Sequence, residues 1–505
     1  MCGAASTLSA AVFFVMGGLA AMAAPADTLD RQYDRLIASY ARQLDGLARA
    51  DPTQQRPALA GRIGNWLPRR PPDSLLLFVH DVAGEFDKAE PPPSTPDSWY
   101  EKFTALRHAQ ADRLWELANR AVSDGQSALA CRLATEAVRE NRDHAAARRT
   151  LGFRKVGHKW LSPFAAKQFQ RGLVWHGQFG WIRAGDVRRY ESGERREGSR
   201  WIDARHDAAG HRNMQDGWRI ETDHFLVTTN HSLEAGIRLA ERLERLYQAW
   251  HQVFAPYEAS SSRWQARFAG RPRHRRTARK HRVDYYRSRE EYNAALRTRQ
   301  PRIAMTLGIY FDQERRSCFF AGDDTFTTTL FHEATHQLFQ ETRRVTRHVG
   351  SRNNFWVVEG VATYMESLTE HDDYVTLGGD HAGRLPAARA RLLDDGYYVP
   401  LAKLTQLGTQ DLQQRDDLRR LYSQTAGFAT FLMHGRQGQY RDALLRYLAA
   451  VYTDRADAGT LAKLTTSSYD QLDREYRQFL EETRADQPAV SAAPEGDGSE
   501  SAADP

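Results

Sequence analysis

The sequence predicts an α+β protein that is mainly helical, and three observations carry that prediction. Apolar residues recur every three or four positions over most of the chain. Between residues 156 and 217 that rhythm gives way to short aromatic runs broken by glycine, and from residue 222 short strands alternate with helices before a long helical finish. With 505 residues, 41% hydrophobic and 27% charged, the chain has room for more than one core, and its composition excludes a mainly disordered or membrane-embedded protein.

Residues 1–24 read as a signal peptide. The stretch from Leu8 to Ala24 is apolar and small and ends in an Ala-x-Ala exit at Ala21 to Ala23, although no Lys or Arg precedes it. The expectation is export, periplasmic or secreted, with an uncleaved membrane anchor as the alternative. Cys2 precedes the apolar run, so cleavage leaves Cys131 and Cys318, which can pair in an oxidising compartment but form no disulfide framework.

Residues 25–155 read as a helical region. Leu29, Tyr33, Leu36, Tyr40, Leu44 and Leu47 mark one helical face, and the Pro-rich EPPPSTPDS at 90–98 separates it from a second face through Trp99, Phe103, Leu106, Leu114, Leu117 and Ala121. The small-residue pattern near 125–153 is that of a tetratricopeptide-like helix pair, and a single unit makes no solenoid. Residues 156–217 read as a small β-rich module. Its Trp160, Trp175, Trp181 and Trp201 can stack on sugar rings or fill a small core, the second being the commoner use.

From residue 218 the elements follow in order: strand HFLVTT, a helix from Leu233 to Phe254, a basic segment, strand RVDYYRS, helix EEYNAAL, and a hairpin of LGIYF and SCFFA joined by DQERR. Asp323 and Asp324 are natural N-caps for the next helix. The formal charge of +6 says little alone, but residues 263–282 carry nine Lys or Arg, two His and no acid. This segment is either a solvated loop or a contact for an anionic surface; no nucleic-acid-binding signature surrounds it. Residues 484–505 are a polar, acidic tail expected to be disordered.

The chemistry concentrates in LFHEATHQLF, residues 330–339. On a helix His332 and His336 lie about 40° apart with one turn between them, so both can bind one ion. A catalytic zinc keeps three protein ligands at about 2.0–2.1 Å for imidazole and leaves a fourth position for water, over which Glu333 is placed as general base. The flanks Leu330, Phe331, Ala334, Leu338 and Phe339 imply a buried helix, where His, Glu and His without partners would be costly. A third ligand is required. WVVEGVATYMES, residues 356–367, offers Glu359, another carboxylate on an apolar helix, and Glu366 seven positions later on the same face.

HEATH followed by EGVATYME resembles the gluzincins, the zinc metallopeptidase clan of thermolysin and aminopeptidase N. Glu359, Gly360, Ala362, Tyr364 and Glu366 match the E-G-x-A-x-Y-x-E pattern of the aminopeptidase branch. The lead-in, hairpin and helical finish also resemble an uncharacterised exported bacterial family of that clan. The resemblance covers about residues 218–480, so it implies a zincin-type domain over 218–483 with a small mixed sheet, an edge strand, the HExxH helix and a helical C-terminal part. It further implies Zn2+ held by His332, His336 and Glu359, Glu333 as base, and Tyr422 in LYSQTAGF as an oxyanion donor. Glu366 is expected beside a ligand histidine, or in a salt bridge with an arginine.

This chain departs from the branch in three places. Glu359 follows His336 by 23 positions, a longer gap that holds RRVTRHVGSRNN; Val358 stands where Asn is usual; and the amine-binding Gly-x-Met-x-Asn motif is absent. The expectation is an exported zinc peptidase acting on peptide or protein substrates, an endopeptidase rather than an aminopeptidase, with residues 317–321 as the edge strand. The alternatives are a catalytically inactive zincin-fold scaffold of the cell envelope and a polyanion-binding module.

Overall fold

The computed structural model describes residues 28–50, 61, 63–85, 98–271, 279–322 and 326–485. The signal peptide, most of the Pro-rich linker, the centre of the basic segment, the Asp323–Asp324 caps and all but the start of the tail lie outside the described residues. The protein is α+β, as expected.

Its centre is a five-stranded mixed sheet in the spatial order Gly308–Phe311, Arg316–Phe320, His281–Tyr286, Phe225–Thr229, Trp218–Glu221. The middle strand His281–Tyr286 runs parallel to both neighbours, and the two outer strands are antiparallel to theirs. Parallel strands need crossovers. The helix Leu233–Val253 supplies one and Arg289–Leu296 lies in the other. Alternate residues of the inner strands therefore enter different cores. Val283, Tyr285 and Phe319 join the main core, whereas Tyr286, Cys318 and Phe320 pack with Tyr292 and Leu296 behind the sheet. Residues 317–321 are thus not the edge: the first arm of the hairpin, Gly308–Phe311, lies outermost, because SCFFA is the arm apolar enough to be buried on both faces.

Two further corrections concern the helical regions. Ser74–Phe78, inside the segment read as helical, is a strand, and so are Thr369–Glu370 and Tyr374–Gly378 in the C-terminal part. The three form one antiparallel sheet, with Ser74 opposite Gly378 and Phe78 opposite Tyr374. The run SLLLF has too few residues for helical periodicity to show, and nothing local reveals its partner.

The N-terminal helices Ser98–Ser123 and Ser127–Glu140 pack closely because Ala111, Ala118, Ala121, Ala130 and Ala137 leave room for the backbones to approach. Buried Glu140 accepts hydrogen bonds from Tyr40 Oη (2.8 Å), Trp66 Nε1 (3.0 Å) and Arg139 Nη1 (2.9 Å), and Arg139 reaches Asp373 at 3.0 Å. Asp373 lies beside Tyr374–Gly378, so this polar network ties the N-terminal helices to that sheet.

Residues 154–210 form three hairpins, each followed by a short helix, with Trp160, Trp181 and Trp201 in equivalent second strands. Trp160 is buried, Trp175 packs edge-on against Trp181, and Trp201 meets the guanidinium of Arg189 at 4.1 Å. The basic segment opens as the helix Ser261–Phe268, not as a loop, because Trp264 is fully buried and its Nε1 donates to the Ala255 carbonyl (3.0 Å). Cys131 and Cys318 are free and buried in separate cores, so they do not pair.

The helix Phe355–Met365 crosses Leu418–Gly438 through two residues of its motif. A Cβ on Gly360 would lie 2.8 Å from the Thr425 carbonyl oxygen, and one turn on, Tyr364 Oη pairs with His434 Nε2 at 2.8 Å. Gly360→Ala is therefore expected to destabilise the protein by about 1–3 kcal/mol through overpacking, read as a lower urea midpoint with an unchanged slope.

Candidate functional site

The helix Phe326–Thr342 turns Leu330, Phe331, Ala334, Leu338 and Phe339 into the core, which sets His332, Glu333 and His336 towards the edge strand and the helix Phe355–Met365. The second helix starts at Asn354, whose left-handed φ of 60° suits Asn, and whose side chain is held by Tyr447 Oη (2.6 Å) and the Asp457 carbonyl (3.1 Å). Every residue of Phe355–Met365 is buried, which holds the backbone that carries Glu359.

The candidate ligand atoms converge. His332 Nε2 lies 3.1 Å from His336 Nε2, and Glu359 Oε2 lies 3.4 Å from the first and 3.7 Å from the second. Two ligands of a tetrahedral zinc at about 2.05 Å stand about 3.3 Å apart, so this spacing matches such an ion. Among the described residues this is the one group of three His, Cys, Asp or Glu placed to hold a metal. Glu366 is beside the site as well: its Oε1 accepts the His332 Nδ1–H at 2.9 Å. A carboxylate only accepts, so Nδ1 carries the proton and Nε2 faces the ligand point.

Glu366 meets a histidine and an arginine at once, because Arg384 also bonds it, from Nε to Oε2 at 2.9 Å and from Nη2 to Oε1 at 3.1 Å. Glu333 is buried, and its Oε2 accepts the backbone N–H of Tyr310 on the edge strand at 2.9 Å. Gly308 permits that approach, since a Cβ there would lie 2.7 Å from the Phe319 ring and 2.9 Å from Thr329. The Tyr310 hydroxyl donates to Glu341 (3.2 Å), two turns along the HExxH helix from Glu333, so this one residue holds the strand against the helix twice.

Three buried carboxylates thus face two imidazoles and one guanidinium, and the charges respond. Burial opposes the imidazolium of His332, but the hydrogen bonds to Glu359 and Glu366 prevail and carry its pKa up to about 10. Burial likewise opposes the carboxylate of Glu359, yet the charge of His336 and the hydrogen bonds from both histidines hold it well below the usual range. Burial pushes Glu333 up, only partly offset by His332 and His336. His332, His336 and Glu359 are the residues that could hold a divalent cation in place of the histidine proton.

Tyr422 opens the second turn of Leu418–Gly438, about one turn before the Thr425 that meets Gly360, and is half-buried against the main core. Sequence reasoning missed Tyr310 and Arg384. The local signal is the set of glycines in GGDHAGR, which favour a turn without showing what it reaches. No family model and no curated protein matches this chain.

Proposed function

We propose that the chain is a zinc-dependent peptidase that hydrolyses internal peptide bonds. The observation that supports it best is the convergence of His332 Nε2, His336 Nε2 and Glu359 Oε2, with the buried Glu333 adjacent on the same helix. When bound, zinc polarises the scissile carbonyl and makes water acidic enough to be deprotonated near neutral pH. Glu333, its pKa raised by burial, takes the proton from the attacking water and returns it to the leaving amine. An extended substrate lies along Gly308–Phe311, the outermost strand of the five-stranded sheet, whose Tyr310 N–H is already given to Glu333.

The missing Gly-x-Met-x-Asn motif supports an endopeptidase, so peptides with blocked amino termini are expected to be cut as well as free ones. The test compares casein, free and blocked peptides with and without chelator; zinc bound but nothing cut would leave the inactive scaffold as the better reading. Tyr422→Phe is expected to lower the rate on the order of 10²-fold with little change in stability if its hydroxyl meets the oxyanion, and the reverse if it only packs. Among the described residues no helix is long and apolar enough to cross a membrane. Export is part of this proposal, and N-terminal sequencing of the native protein should begin near Ala24 or Asp27; an intact Met1 refutes it.

A further inference from the structure

Arg384 ends the loop GGDHAGR, residues 378–384, and that loop is fixed at both ends. At its start the strand Tyr374–Gly378 pairs with Ser74–Phe78, and the Gly379 N–H donates to the Asp73 carbonyl at 2.9 Å. Gly378 has φ +85°, and a side chain there would run into the ring of His434. At the far end Gly383 has φ +57°, and its Cβ would lie 2.9 Å from that of Ser367. Ser367 accepts the Gly378 N–H at 3.0 Å, and Arg389 holds the Asp380 carbonyl at 3.0 Å. These constraints leave the loop little freedom where it delivers the guanidinium.

The guanidinium then fixes a carboxylate. A single hydrogen bond lets a carboxylate pivot; two parallel ones from a planar fork set its plane. Arg384 makes both bonds to Glu366, whose Oε1 meets His332 Nδ1 at 2.9 Å. The carboxylate plane in turn decides the angle of the imidazole, and hence the direction of Nε2.

We propose that Arg384 is a positioning residue for the metal centre, acting through Glu366 on His332, and that the strand Ser74–Phe78 belongs to the framework of that centre because it seats the loop that carries Arg384. This role rests on the zinc reading above. The N-terminal segment is then a working part of the site and not an appendage to it.

The test measures zinc affinity of the full chain by competition with a chromophoric chelator, with the melting of each metal-free variant as the control for folding. Arg384→Met is expected to weaken zinc about 10- to 100-fold. Arg384→Lys restores only part of this, since an ammonium cannot make the two-point contact. Gly383→Ala weakens zinc too, although it keeps the guanidinium, because it pushes the loop off Ser367. In a Glu366→Gln background Arg384→Met adds nothing further, as two members of one chain of contacts must behave. Equal affinity in the wild type and Arg384→Met overturns the positioning role while leaving the zinc reading intact. So does a loss that persists undiminished in the Glu366→Gln background. A wild-type protein that holds no zinc overturns the zinc reading and this role with it.

Discussion

Glu333→Gln is expected to keep the fold and the zinc and to lower peptide hydrolysis at least about 10²-fold. The two side chains have nearly the same shape, and the amide oxygen can still accept the Tyr310 N–H that the carboxylate accepts at 2.9 Å, so no buried donor is left unpaired. What disappears is the capacity to take a proton. In the metal-free site burial raises the pKa of Glu333, with His332 and His336 opposing the rise. Initial rates on casein and on blocked peptides, alongside zinc content, check the outcome. If the wild type and Glu333→Gln hold equal zinc and are equally inactive, the protein is a scaffold and the carboxylate only anchors the edge strand.

The second large effect is His336→Ala. It removes one of the three proposed ligands and leaves His332 and Glu359 3.4 Å apart, and two ligands hold zinc far more weakly than three. A loss greater than the roughly 10- to 100-fold caused by changing an outer partner is expected, measured as metal retained after dialysis. Stability offers a separate readout. A ligand at about 1,000 times its Kd stabilises the folded state by about 4 kcal/mol, so chelator should lower the melting temperature of the wild type and leave that of His336→Ala unchanged. A wild-type melting curve indifferent to chelator and zinc alike would remove the metal from this site.

How far the sequence revealed these features depended on how local they were. His332, Glu333 and His336 were readable because helix geometry alone puts four-apart residues on one face. Glu359 and Glu366 were readable as two carboxylates, seven apart, on a helix too apolar to hold them idly. The edge strand was misplaced because a hairpin announces its two arms but not which of them faces inward. The strand Ser74–Phe78 and the contact of Arg384 with Glu366 depend on partners that no local pattern identifies. The helix around Trp264 was hidden by the charge of its neighbours, since a fully buried tryptophan in an arginine-rich run reads as a solvated stretch.

The pairing of Ser74–Phe78 with Tyr374–Gly378 also governs how the chain must be made. About 300 residues separate the two strands, so at roughly 5–20 residues per second the apolar SLLLF leaves the ribosome some 15–60 s before its partner exists. During that interval its main-chain edge is bare and its side chains are exposed, the state in which a strand recruits the wrong neighbour. Closing so long a loop comes late in folding, after the nearby helices have formed. The strand therefore stays without its partner until about three-quarters of the chain has been synthesised.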